Sequence, residues 1–131
     1  MAPLRNSLDS YKRALDHLKN SLKKDLKDPT ILAGSIKHFE LAYETSWKAL
    51  KAFLSENLGL QALSPREVFS VAYSQKLIDN EDHWLNLMKD RNFSVHVYDE
   101  ADARALVDRI VISHLQDLDS LATRLEFPGK A

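Results

Sequence analysis

Cysteine is absent from this sequence, which excludes a disulfide framework and any thiolate-ligated metal site. Glycine is scarce, three residues in 131 and none adjacent to another. That removes the Gly-rich loops that cradle phosphates in P-loop and dinucleotide-binding proteins. No run approaches the length of about 18 apolar residues that a membrane-spanning helix needs. The opening residues, Met1 to Asn6, lack the apolar run of a secretory signal, and a cytoplasmic location is expected. An excess of one charge is lacking too: 18 basic against 19 acidic side chains give a net charge of −1. A strongly basic chain would point to nucleic acid through the phosphate backbone. Here, any contact with RNA has to come from local arrangement. Residues 1–60 hold ten basic and seven acidic side chains and residues 61–131 eight and twelve, an asymmetry too small to name a partner.

A hydrophobic content of 44% with 28% charged residues fits one globular domain over residues 1–131, with its core inside about 4–125. Leu4, Leu8, Tyr11, Leu15, Leu18, Leu22 and Leu26 recur at spacings of three and four, which predicts a first helix from about Leu4 to Lys27. Asp28-Pro29 reads as a cap followed by proline at the first helical position, and Gly59 as a stop, so a second helix is expected over 29–58. Its stripe is rich in aromatics, with Phe39, Tyr43, Trp47 and Phe53, and reads as core. Glu40 and Glu44 lie one turn apart beside it. They form a carboxylate pair suited to a metal or a partner, although Glu44 is also placed to pair with Lys48.

Ser64-Pro65-Arg66-Glu67 has the form of a capping box and opens a short third helix through about Gln75. After a break at 77–80, a fourth helix starts at Glu81-Asp82 and presents Trp84, Leu85, Leu87 and Met88. A last helix, capped by Asp99, should run to about Leu125 with Val107, Ile110, Val111, His114, Leu118, Leu121 and Leu125 inward, and the tail from Phe127 should fray. No segment shows sustained period-two alternation. The fold class is therefore all-α, an up-and-down antiparallel bundle of four to five helices.

Between the fourth and last helices, Arg91-Asn92-Phe93-Ser94-Val95-His96-Val97-Tyr98 departs from this regularity, with β-branched residues alternating with polar ones. On one continuous helix Arg91 and His96, five residues apart, would point about 140° away from each other. They can share a ligand only if the helix ends between them or a second subunit supplies its own copy. The set suits a phosphodiester. Arg91 offers a charged planar fork for phosphate oxygens, and histidine can give or take a proton near neutral pH. Asn92 and Ser94 can orient these groups, and Tyr98 places a hydroxyl nearby. Activation of an RNA 2′-hydroxyl by His96, with charge building on phosphate opposite Arg91, would be metal-free transesterification. The plainer alternative is that Arg91 pairs with Asp90 or Asp99 and His96 caps a helix. His114 reads as a core or interface histidine, and His17, His38 and His83 are scattered without the i,i+3 or i,i+4 spacing of metal ligands. No metal or cofactor is expected.

The segment resembles the Arg-Asn-x-x-x-His-x-Tyr signature of the HEPN superfamily. More narrowly, the chain resembles the small prokaryotic branch of nucleotidyltransferase substrate-binding proteins. Phe39-Glu40-x-x-Tyr43-Glu44-x-x-Trp47-Lys48, Ser64-Pro65-Arg66-Glu67-Val68 and Trp84 before Asp90-Arg91-Asn92 carry the likeness in order over roughly residues 35–125. The resemblance implies a helical bundle that forms a homodimer with its Arg/His segments facing a shared cleft. It also implies a separate partner, a minimal nucleotidyltransferase. In related pairs the HEPN member is an RNase toxin, and the partner is an antitoxin that adds AMP to the motif tyrosine. By position, Arg91, Asn92, His96 and Tyr98 would bind nucleotide or RNA phosphate. Arg91 and His96 would be catalytic if the chain is a metal-independent RNase, and Tyr98 would be the modification site. The readings that follow are an accessory subunit of the nucleotidyltransferase, an RNase toxin silenced at Tyr98, and a purely structural dimer.

Overall fold

The computed structural model describes residues 3–128, and these are helical with turns between the helices. The first helix, α1, spans Pro3–Leu22 and buries Leu8, Tyr11, Leu15 and Leu18, the stripe read from the sequence. It stops five residues before the expected Lys27. The bonds Lys23 N–H to Asn20 and Lys24 N–H to Ser21 are of the tight i→i+3 kind, and the Asp25 carboxylate takes the Lys27 amide. Aspartate competing for nearby backbone donors ends helices in this way. The carbonyls of Leu26 and Lys27, freed by that early stop, accept from the Arg104 guanidinium at 3.0 and 3.1 Å.

The second helix, α2, runs Pro29–Leu58, with both signals as expected: the Asp28 carboxylate accepts from the Thr30 amide at 2.8 Å, and Gly59 adopts the left-handed conformation at φ +64°. It forms a hairpin with α1 and touches every later helix, which makes it the central rod of the bundle. Phe39, Ala42, Ala49, Leu50 and Leu54 are inaccessible along it. The third helix, α3 (Pro65–Ser74), begins at the Ser64 cap, whose hydroxyl accepts from the Glu67 amide, while the Glu67 carboxylate reaches back to the Leu63 amide. Phe69 from α3 packs against Tyr43 and Trp84, binding α2, α3 and α4 (Glu81–Ser94) into one aromatic contact.

The last helix comprises α5 (Glu100–Arg109), a single π-helical turn (Ile110–His114) and α6 (Leu115–Glu126). The π-turn is marked by the Leu115 amide bonding the Ile110 carbonyl, an i→i+5 step. This wide turn rotates the stripe. Ile110 and His114 stay buried, but Val111, expected inward, is 48% exposed, and Ile112 stands out further. Nothing in the apolar spacing announces that turn. The expected fraying of the tail falls, for residues 129–131, outside the described residues. No described helix is long and apolar enough to cross a membrane.

Candidate functional site

The end of α4 decides the geometry of the Arg91–Tyr98 segment. The helix closes at Ser94, with Val95 as its C-cap and the His96 amide turned back to the Phe93 carbonyl at 2.8 Å. The α-helix therefore ends between Arg91 and His96, the condition under which the two side chains can serve one ligand. From there the chain runs to Asp99, which caps α5 by accepting from the Asp102 amide.

Arg91 pairs with neither Asp90 nor Asp99. It turns to α2, where its Nε lies 3.6 Å from a Glu44 carboxylate oxygen, and Nε is buried without a hydrogen-bond partner. At that distance the contact is an ion pair and not a hydrogen bond. The same carboxylate accepts from the Trp47 indole at 3.3 Å, and no Glu44–Lys48 pair forms among the described residues. The sequence-based pairing with Lys48 is thereby corrected. Glu40, one turn earlier, accepts from the Ser94 hydroxyl, which also sits 2.6 Å from the Arg91 carbonyl. The two carboxylates thus hold the final turn of α4 onto α2, each through a different residue of the segment. The Tyr43 hydroxyl is buried beside them without a partner; burial, reinforced by Glu44 and opposed by Arg91, pushes its phenol well up.

His96 and Tyr98 lie on the outer side of the junction. The His96 Nδ1 stands 3.4 Å from the Tyr98 hydroxyl, and their rings meet edge to face. Tyr98 is 84% exposed, the most accessible of the large apolar or aromatic side chains described. It forms one wall of a shallow groove of about 310 Å³ that Leu32, Ile36, Val97 and Ala103 floor. Asn92 is exposed and makes no hydrogen bond among the described side chains. Phe93, Val95 and, between the two glutamates, Leu41 are also exposed. A larger concavity of about 580 Å³, which includes Asp79, His83, Asp117 and Arg124, contains no residue of the segment.

Behind Arg91, the preceding residue faces the last helix. Asp90 receives two bonds of 2.9 Å from the Arg109 guanidinium and lies 2.6 Å from the His114 Nε2. Burial works to raise the Asp90 carboxyl, but Arg109 and His114 together outweigh it and hold it below the ordinary aspartate value. His114 is buried and stacks on Phe39 at 5.6 Å between ring centres, consistent with its reading as a core histidine. Its bond to Asp90 has no local sequence signal, because the two lie 24 residues apart on different helices. Among the described residues, no group of three or more His, Asp or Glu side chains is placed to hold a metal ion.

Comparison with known proteins agrees with this architecture. The family described as nucleotidyltransferase substrate binding protein like matches residues 6–127. A probable ribonuclease HepT of Haemophilus influenzae is 28% identical over 105 residues, 75% of this chain and 72% of the relative. A Thermus thermophilus structure superposes with a TM-score of 0.81 at 31% identity, covering 88% of this chain and 98% of the other. A tri-AMPylated HEPN toxin of Shewanella oneidensis, solved in complex with an MNT antitoxin, shares the fold with a TM-score of 0.75 at 18% identity over 96% and 98% of the two chains. The helical bundle and the ordered segment at its junction thus have one common explanation: the chain belongs to the nucleotidyltransferase substrate-binding protein-like family.

Proposed function

We propose that this chain is the accessory subunit of a minimal nucleotidyltransferase, that Arg91, Asn92 and His96 bind a nucleotide or RNA phosphate, and that Tyr98 is the residue the partner modifies. The observation that carries this reading is the pairing of an almost fully exposed tyrosine with a histidine nitrogen 3.4 Å from its hydroxyl. For AMP transfer, the Tyr98 oxygen attacks the α-phosphorus of ATP as His96 accepts the phenolic proton. The bond to the β-phosphate bridging oxygen breaks, and pyrophosphate leaves. Arg91 keeps its outer guanidinium nitrogens for phosphate oxygens: its contact with Glu44 is through Nε at 3.6 Å, too long for a hydrogen bond. The exposed Leu41, Phe93 and Val95 fit contact with a second copy or with the nucleotidyltransferase, and a homodimer is part of the proposal. The MNT antitoxin bound to the AMPylated structural relative supports the choice of partner.

A second reading, supported by the relative named as a probable ribonuclease, is that the same residues cleave RNA. His96 would then take the proton of a 2′-hydroxyl, whose oxygen attacks the adjacent phosphorus and expels the 5′-oxygen, with Arg91 neutralising the phosphorane. Purified protein and an Arg91→Ala/His96→Ala variant, incubated with RNA in EDTA, separate the two. Cleavage by the native chain alone establishes the RNase. Binding of RNA or nucleotide without cleavage, lost in the variant, establishes the accessory role. Equal binding by both proteins would overturn the assignment of the site.

A further inference from the structure

The π-turn in the last helix has a geometric consequence for Arg91. Arg109 and His114 are five residues apart, the same spacing as Arg91 and His96. On a regular α-helix they would diverge by about 140° and could not meet one small group. The i→i+5 step from Leu115 to Ile110 widens the turn and brings residues five apart nearer to one face of the helix. Arg109 and His114 then converge on Asp90, the first with two bonds of 2.9 Å and the second at 2.6 Å. π-Turns are rare, appear mostly as single turns inside α-helices, and lie frequently at functional sites. What this one re-aims is a pair of donors that grip the residue directly before Arg91.

That grip is buried at its histidine end. His114 is 4% exposed, with its ring stacked on Phe39 of α2. Its Nε2 lies against the Asp90 carboxylate, and its Nδ1 is buried without a hydrogen-bond partner. Adjacent residues on a helix project about 100° apart. Asp90 therefore ties α4 to the last helix while Arg91 faces Glu44 and Ser94 meets Glu40 on α2. The last turn of α4 is pinned from two directions, and its rotation about its own axis is fixed.

We infer that Asp90, Arg109 and His114 form a positioning device that sets the direction of the Arg91 guanidinium toward its phosphate ligand. The inference rests on the proposed role of Arg91, and neither the sequence spacing nor the family likeness assigns these three residues a part in it. The side chains themselves do not touch the ligand. They act through the orientation of the α4 terminus.

The test is a set of affinities for a fluorescein-labelled oligoribonucleotide, measured well below the melting temperature of each protein. His114→Leu removes the donor, His114→Gln keeps an N–H that can reach Asp90, and Arg109→Met removes the other half of the grip at a half-exposed site. Each is made in the native chain and again with Arg91→Ala. The expected result is a loss of about tenfold for His114→Leu, the scale of a small misplacement of a binding group. Most of it should return in His114→Gln, Arg109→Met should show a smaller loss, and none of the three should lose anything further once Arg91 is alanine. That non-additivity is the signature of residues acting through Arg91, and a merely structural role would not produce it. Equal losses in both backgrounds, or native affinity in both His114→Leu and Arg109→Met, would overturn the inference while leaving the Arg91 site standing. Native affinity in Arg91→Ala alone would remove the site, and this inference with it.

Discussion

At the scale of single residues, the site is organised by what each side chain can still do after folding. Arg91 is held but not used up, His96 and Tyr98 face outward, and Glu40 and Glu44 meet the helix end through Ser94 and Arg91, Glu44 without pairing to Lys48. An arginine that neutralises one phosphate contributes about one unit to the salt dependence of nucleic-acid binding. Arg91→Ala should therefore weaken oligoribonucleotide binding and reduce the slope of log affinity against log salt by about 1, measured by fluorescence anisotropy between low and moderate salt. An unchanged slope would mean that no phosphate is held there. The residues of this segment were legible in the sequence because their types are unusual together. Their partners were not, since Glu44 and Arg91 are brought together only by the packing of α4 on α2.

At the scale of elements, local chemistry fixes most boundaries. The Asp28, Ser64 and Asp99 caps and the Gly59 stop were all readable, because each satisfies backbone groups within four or five residues of itself. Gly59 sits at φ +64° with nothing within 4 Å of where a Cβ would be, so a Gly59→Ala change meets only backbone strain. It should cost about 1–2 kcal/mol in urea unfolding. Loss of the Ser64 hydroxyl in Ser64→Ala should cost about 1 kcal/mol in the same measurement. The end of α1 and the π-turn were not readable. The first depends on which of several lysine-flanked positions yields to the Asp25 side chain. The second depends on Asp90, Arg109 and His114 meeting across two helices, which no period of apolar residues encodes.

At the scale of the whole molecule, α2 gathers the other helices and the Asp90 grip ties the last helix to α4 across it. Acid should loosen that tie. The Asp90 carboxyl lies below the ordinary aspartate value in the folded chain, so its contribution is fully present above the unfolded value of about 3.9 and is lost as pH falls through the lower folded value. Thermal melts of the native chain should fall more steeply below pH 4 than those of Asp90→Asn, which lacks that titration; parallel curves would contradict the assignment. The bundle itself was legible from its stripes, and the family likeness from the ordered motifs along them. Under the proposed function, the chemistry depends on a partner able to act on the exposed Tyr98. The most direct measurement is the intact mass of this chain after co-expression with the proposed minimal nucleotidyltransferase, beside a Tyr98→Phe variant whose exposed ring should leave folding untouched. A mass raised by whole AMP units in the native chain and absent from the variant is the predicted result; an unmodified native chain, or modification that persists in Tyr98→Phe, would contradict it.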